Sequence, residues 1–251
     1  MEQLSNNRQI IRLEETTSTN SYLKNLLREQ VLEEGSVVVA DFQTAGRGQM
    51  GNSWYSGKGE NLLFSFLIYP IEIPANEQFI ISQIVSLAIK NTLDQFTDDI
   101  RIKWPNDIYW KDKKIAGILI ENSLQGKVIE NSVIGIGLNL NQQIFPIELP
   151  NPVSLRQITA TEHDKDYILD LLMKEFFLLY RSLQDGEKLV IEDEYMLDLY
   201  RVNGYYWYED ASGRFQAKID NVLSSGHLVL ETLDTKEERV YAFKEIAFIN
   251  E

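Results

Sequence analysis

Two apolar runs dominate the first third of the chain. Residues 36–41, built on Val37-Val38-Val39-Ala40, and residues 62–69, built on Leu62-Leu63-Phe64, each read as a strand with no polar face. Between them lie twenty residues, 42–61, with five glycines (46, 48, 51, 57 and 59) and no helical periodicity. Connections of that length are uncommon in compact domains and are usually functional. The fold must therefore carry a long polar loop between two core strands.

The flanking pattern fills in an architecture. Thr16-Thr17-Ser18-Thr19-Asn20 precedes Tyr22, Leu23, Leu26 and Leu27, so a Ser or Thr is expected to cap a helix running to about residue 30. Residues 79–96 place Ile80, Ile81, Ile84, Val85, Leu87, Ala88 and Leu93 as a mostly buried helix. Short β segments follow at 100–103, 108–110, 115–121 and 127–139, with turns at 111–113 and 123–126. A second helix is expected at 167–183, and the acidic stretch 186–198 continues helically. After Asn203-Gly204 come short β runs at 205–208, 215–220, 227–231 and 240–243, separated by turn signals. Runs of strands followed by helices, without strict alternation, indicate an α+β domain, with a small barrel of about fifty residues behind it.

Composition removes several classes of function. With 24 Lys+Arg against 38 Asp+Glu the formal charge is −14, which disfavours DNA, RNA and anionic membrane as main partners. The chain has no cysteine, so disulfides, thiolate metal sites and cysteine nucleophiles are excluded and a cytoplasmic setting fits best. Residues 1–12 lack the apolar block of a signal peptide, and no run reaches membrane-spanning length. The two histidines, His163 and His227, are unrelated in position and read as surface or turn residues, which leaves little for a Ser-His-Asp triad.

Gly46-Arg47-Gly48-Gln49-Met50-Gly51 matches the dinucleotide-binding pattern G-x-G-x-x-G in letters only. That fingerprint needs a helix to start at the third glycine, whereas residues 52–60 are polar and non-periodic and lead into a strand. A Walker A loop fails as well, because Gly51 and Gly57 are one residue too far apart and Gly59 stands where a magnesium-binding hydroxyl belongs. What remains is a glycine loop with Arg47 and Trp54, after Gln43-Thr44, suited to bring backbone N–H groups and a guanidinium to an anion.

The segment Arg101-Ile102-Lys103-Trp104-Pro105-Asn106-Asp107-Ile108 cannot be an ordinary helix, since Pro105 fixes its own φ and pushes Trp104 toward extended geometry. Asn106-Asp107 is either a tight turn or a place where one carboxylate helps hold magnesium. Residues 101–114 hold five cations (Arg101, Lys103, Lys111, Lys113, Lys114) against two carboxylates (Asp107, Asp112). In so acidic a chain, that inversion points to an anionic ligand. Lys114 opens Lys114-Ile115-Ala116-Gly117-Ile118-Leu119-Ile120-Glu121, an ammonium at the mouth of a buried strand.

These pieces, together with Thr17-Ser18-Thr19-Asn20, Gly59-Glu60-Asn61-Leu62 and Gly135-Ile136-Gly137-Leu138-Asn139, resemble the biotin protein ligases over nearly the whole chain, specifically the short form without a DNA-binding helix-turn-helix. The resemblance implies a central mixed β-sheet flanked by helices, of class II synthetase-like type, over residues 1–200, and an SH3-like β-barrel over residues 201–251. It implies that biotin and MgATP give biotinoyl-5′-AMP and pyrophosphate, after which a lysine of a biotin carboxyl carrier protein takes the biotinoyl group.

By the same resemblance Ser18, Thr19, Asn20, Gln43, Gly46 and Gly117 fall at biotin-binding positions. Arg47 and Lys114 match the residues that hold the biotin carboxylate and the α-phosphate and so carry the catalysis. Gly48, Trp54, Lys103, Asn106, Asp107 and Asn139 match nucleotide-binding positions, Asp107 near the Mg²⁺. Where many members have a further Arg after Gly-Arg-Gly, this chain has Gln49, expected to hold the loop closed by a hydrogen bond instead. Only about fifteen residues precede Thr16, so DNA binding is not expected; homodimerisation through a sheet edge stays open. A lipoate ligase of related fold and a catalytically silent biotin-binding protein are the alternatives.

Overall fold

The computed structural model describes residues 9–249. Residues 1–8, two-thirds of the stretch read for a signal peptide, lie outside the described residues. Among the described residues the chain runs β1 (Ile10–Thr16), α1 (Thr19–Glu29), β2 (Val37–Gln43), β3 (Leu62–Ile68), α2 (Phe79–Leu93), β4 (Ile100–Lys103), β5 (Asp107–Trp110), β6 (Lys113–Gln125) and β7 (Val128–Leu138). It continues through α3 (Leu155–Thr159), α4 (Lys165–Gln184), α5 (Lys188–Leu197), β8 (Tyr206–Asp210), β9 (Gly213–Val222), β10 (Leu228–Thr232), β11 (Glu238–Tyr241) and β12 (Ala247–Phe248).

The first seven strands form one mixed sheet in the order β1-β2-β3-β7-β6-β5-β4. β1 and β2 are parallel, joined across one face by α1, and the other neighbouring pairs are antiparallel. The sheet is covered on both sides, which is why β3 is buried at every position and reads as continuous apolar sequence. On one face Leu23 of α1 packs with Val38, Leu67 and Val133. On the other, α2 lies against the sheet and is covered in turn by α4 and α5. Being enclosed from both directions, α2 is apolar almost all round, with Ile80, Ile81, Ile84, Val85 and Ile89 buried.

The last five strands make a second, antiparallel sheet in the order β11-β10-β9-β8-β12, the small SH3-like unit. Its apolar side is not separate from the first: Tyr208, Ala217, Ile219 and Leu228 belong to the same buried cluster as α2 and the large sheet. Two contacts fix it beside the sheet. Trp104 Nε1 donates to Gly226 O at 2.9 Å, and the Trp104 and Phe243 rings meet edge to face at 6.3 Å. No helix among the described residues is long and apolar enough to cross a membrane.

Some boundaries differ from the sequence reading for local reasons. β6 runs to Gln125, so its hairpin turns at Gly126 and Lys127 rather than over 123–126, with a register shift between Ser123 and Leu124 absorbing the extra residue. α3 and β12 are too short, and β1 too interrupted by charged residues, to announce themselves.

Candidate active site

The start of α1, the glycine loop and the β4–β5 turn enclose a cavity of about 430 Å³ over β6 and β7, and the small C-terminal unit supplies its far wall. At one end stands the start of α1. Ser18 is the N-cap residue in extended geometry, yet its side chain makes no capping bond and instead lines the cavity. Thr19 donates to Gln43 Oε1 from its backbone N–H (2.8 Å) and its hydroxyl (3.2 Å). Ser65, on β3, places Oγ 2.7 Å from Thr19 Oγ1 and 2.5 Å from Asn20 Oδ1. Ser18, Thr19, Asn20 and Ser65 are all buried, so this end is a set of neutral polar groups in an apolar sheet, joined to the charged groups only through Asn20, whose Nδ2 donates to Glu121 Oε2 at 3.0 Å.

The glycine loop folds back as a small hairpin. Trp54 N–H donates to Gly46 O (2.9 Å), Gly48 N–H to Asn52 O (2.7 Å), and Arg47 bridges Ser53. This lays the Trp54 ring across the sheet where Gly117 of β6 and Gly137 of β7 sit opposite one another. A β-carbon at Gly137 would fall on the indole ring, and one at Gly135 would fall on the Asn20 side chain. The Gly135-x-Gly137 spacing therefore gives both side chains close access to backbone. Trp54 Nε1 is buried with no hydrogen-bond partner among the described residues.

The cations converge from three elements. Arg47 from the loop pairs with Glu121 Oε2 at 2.7 Å, and Lys114 from β6 pairs with Asp107 Oδ1 at 2.6 Å while standing 5.5 Å from the Trp54 ring centroid. Burial by itself would raise the Glu121 carboxyl, but hydrogen bonds from Asn20 and Lys24 and the charges of Arg47 and Lys24 outweigh it and hold it below the usual carboxylate range. Lys103 has no carboxylate partner among the described residues; its Nζ donates to Tyr109 OH at 3.0 Å and faces the Phe248 ring at 5.3 Å. Asn106, after a cis Trp104-Pro105 bond, is locked to β6 by a bond from its Nδ2 to Ile118 O (2.7 Å) and one from Ile118 N–H to its carbonyl (3.0 Å).

A second cavity of about 570 Å³ opens on the other side of Trp54 and Lys114, walled by Tyr55, Phe145, Leu149, Pro150 and Pro152 with Asn139 beside them. Asn139 reaches Lys114 O from its Nδ2 at 3.4 Å. The two cavities thus share Trp54 and Lys114, the first polar at its far end and the second largely apolar.

Of the residues singled out in the sequence, Ser18, Thr19, Asn20 and Gln43 line the first cavity together with Arg47, Gly48 and Trp54. Lys103, Asp107, Lys114 and Gly117 line it from the strands and Asn106 from the β4–β5 turn, while Asn139 lines the second cavity and Gly46 lies beneath Trp54, facing neither. Gln49 makes no side-chain hydrogen bond among the described residues, so it does not hold the loop in the expected way. The sequence reading missed Ser65, Glu121, the apolar wall at 145–152 and the contribution of Phe243, Lys244 and Phe248. Ser65 had a signal, a lone hydroxyl inside an all-apolar strand; the C-terminal residues had none, since only the tertiary fold brings them here. Among the described residues, no three His, Cys, Asp or Glu side chains cluster to hold a metal, and Asp107 is the one carboxylate lining the first cavity.

Residues 12–139 match the model of the Biotin/lipoate A/B protein ligase family. The bifunctional ligase/repressor BirA of Bacillus subtilis (strain 168) is 35% identical over 153 residues, covering 59% of this chain and 47% of that protein. The Escherichia coli (strain K12) BirA is 34% identical over 163 residues, 63% of this chain and 49% of that protein. These alignments span about half the length of those relatives. Among solved structures, the biotin protein ligase from Aquifex aeolicus in complex with biotin and ATP superposes with a TM-score of 0.80 and 25% identity, covering 97% of this chain and 99% of that one.

Proposed function

From the premise that the chain belongs to the Biotin/lipoate A/B protein ligase family, we propose that it activates biotin with ATP, as biotinoyl-5′-AMP and pyrophosphate, and transfers the biotinoyl group to a lysine of a biotin carboxyl carrier protein. The observation that carries this reading is the meeting of two unlike cavities at one ammonium. The first ends in buried, neutral hydrogen-bonding groups suited to a cyclic urea; the second has an aromatic and proline wall suited to a purine; Lys114 and Trp54 stand at their junction. The complex of the Aquifex aeolicus protein with biotin and ATP supports the same assignment.

In the first step a carboxylate oxygen of biotin attacks the α-phosphorus and the bond to the pyrophosphate oxygen breaks. Two anions must approach, so fixed cations are required to offset their repulsion and to steady charge on the α-phosphoryl group. Arg47 and Lys114 fill that role, exchanging Glu121 and Asp107 for ligand oxygens. Lys103, with no carboxylate partner among the described residues, takes charge further along the triphosphate. Ser18, Thr19 and Gln43 hydrogen-bond the ureido ring, with Asn20 holding Ser65 and Thr19 in place and Gly46 and Gly117 giving Trp54 room over the sheet. Gly48 and Asn139 flank the adenylate, and Asn106 fixes the strand that aims Asp107.

Asp107, the one carboxylate lining the first cavity among the described residues, would be the protein ligand of a magnesium ion carried mainly by the phosphates, and such an ion would cancel phosphate charge. The second step is attack of the deprotonated carrier lysine on the acyl carbon, with AMP leaving. The cysteine-free composition supports a cytoplasmic setting, and the change from mixed to antiparallel sheet supports residues 1–200 as the catalytic part and 201–251 as the small C-terminal part.

Pyrophosphate release with ATP and either biotin or lipoic acid tests the reading. Release with biotin alone is expected. Release with lipoic acid alone would transfer the assignment to lipoate ligation, and release with neither would leave a binding protein without chemistry.

A further inference from the structure

The tip of the glycine loop is held down by very little. Residues 49–51 form a single tight turn, Met50 lies in the left-handed region at φ 51°, and its side chain is 69% exposed, so no apolar packing seats it. The loop's backbone bonds from Gly48 to Asn52 and from Trp54 to Gly46 stay within its own hairpin. Among the described residues, one hydrogen bond ties residues 48–52 to the rest of the molecule: Lys244 Nζ donates to Met50 O at 2.9 Å, across 194 positions of sequence.

The Lys244 side chain is exposed, but the backbone turn that carries it is as firmly placed as the acceptor is loose. Lys244 sits at φ 73° in a turn closed by Glu245, whose backbone N–H donates to Ala242 O (3.1 Å) and whose carboxylate accepts from Ala242 N–H (2.7 Å). A non-glycine residue keeps a left-handed backbone only where its surroundings fix the turn. Here they do: Phe243 packs on Trp104, Ile246 is buried, and the Trp104 indole is bonded to Gly226. One end of the bond therefore belongs to the cavity wall and the other to the middle of its lid.

We infer that Lys244 is a positioning residue that latches the glycine loop over the activated acid, so that the C-terminal unit sets how long the intermediate is kept from water. This rests on the ligase reading above. The loss it guards against is hydrolysis, in which water adds to the acyl carbon, the bond to the phosphate oxygen breaks, AMP leaves and the free acid is regenerated with release of a proton. A latch at a main-chain carbonyl also fits a tip whose own side chains, Gln49 and Met50, make no hydrogen bond among the described residues.

Two measurements on the full chain and its Lys244→Met and Lys244→Arg variants test it. Amide hydrogen exchange over residues 46–54 in the free protein needs no activity. Exchange in Lys244→Met is expected to rise about three- to tenfold, as for loss of one solvent-exposed hydrogen bond, and to return in Lys244→Arg. With biotin, ATP and a biotin carboxyl carrier domain, AMP formed per acceptor labelled is expected to rise above one in Lys244→Met and to return toward one in Lys244→Arg, whereas a general structural lesion would slow both products together. Unchanged exchange overturns the latch, and faster exchange with a ratio that stays at one overturns its role in retention. If the unaltered chain makes no AMP, the ligase reading fails, and the exchange arm still decides whether the latch exists.

Discussion

At the α1 end of the first cavity, Thr19, Gln43, Ser65 and the Asn20 carbonyl are linked by neutral hydrogen bonds, with Asn20 Nδ2 alone reaching Glu121, whereas at the loop end Arg47 and Lys114 are 43% and 32% exposed and each holds a carboxylate. The first arrangement is set before any ligand arrives: its donors and acceptors are aimed, and a ligand that does not match leaves a buried group unpaired. The second is exchangeable, because partly exposed ion pairs are worth only about 0–1 kcal/mol and a ligand anion can replace Glu121 or Asp107 at small net cost. Selection thus belongs to the neutral end and charge handling to the ionic end.

The sharpest way to break this division is at Lys114. Lys114→Ala is expected to lower biotin-dependent pyrophosphate release by about 10²–10³-fold, the usual consequence of removing one preorganised group from developing charge, while biotin binding without nucleotide weakens by less than about tenfold, since a partly exposed pair with the biotin carboxylate is worth little. Titration calorimetry with biotin beside the pyrophosphate assay checks both halves; a biotin affinity that collapsed with the rate would merge the two ends into one.

The converse change is Thr19→Val, which keeps shape and deletes the hydroxyl between Gln43 and Ser65. Biotin affinity is expected to weaken by about one to two orders of magnitude, as for a buried polar group left unpaired, with ATP affinity unaltered. Equal losses for both ligands in calorimetry would contradict a neutral end that reads the acid alone.

Much of this contrast was legible in the sequence. The glycine loop, Lys103-Trp104-Pro105-Asn106-Asp107 and Lys114 are local patterns whose chemistry survives without the fold, and the buried runs at β2, β3 and α2 are plain from composition. What escaped notice was either short and charged or assembled across long distances. β1 is an edge strand that spends Arg12, Glu14 and Glu15 on solvent, which hides its alternation. α3 has five residues and is marked by a capping box between Ser154 and Gln157 that no apolar period accompanies. Glu121 looked like the polar end of a strand, and only the approach of Asn20 and Lys24 from α1 and of Arg47 from the glycine loop makes it a counter-ion.

Between the two ends lies Trp54 on its glycine floor. Gly137→Ala forces the indole off the sheet and is expected to lower stability by about 1–3 kcal/mol, as overpacking does, seen as a lower Tm with a change in tryptophan fluorescence. An unchanged Tm and spectrum would mean that the ring is not seated by that floor.

The smallest effect concerns Glu121. Its folded carboxyl titrates below the ordinary 4.5, so its contribution to stability is present above that value and is lost as pH falls from there through the folded value. Glu121→Gln should remove that acid-side dependence, with a difference below about 1 kcal/mol given its partial exposure. Urea unfolding between pH 3 and about 6 reads this directly, and identical slopes for both proteins would show that the ion pairs at the loop end do not tune the carboxylate.

Mass spectrometry of a purified biotin carboxyl carrier domain, incubated with this protein, ATP and biotin, addresses the whole account at once. It should reveal a single biotinoyl adduct on one lysine, dependent on ATP and absent with Lys114→Ala. A carrier that stays unmodified while the protein is folded and both small molecules are bound would contradict the claim that these two cavities join an acid to a nucleotide.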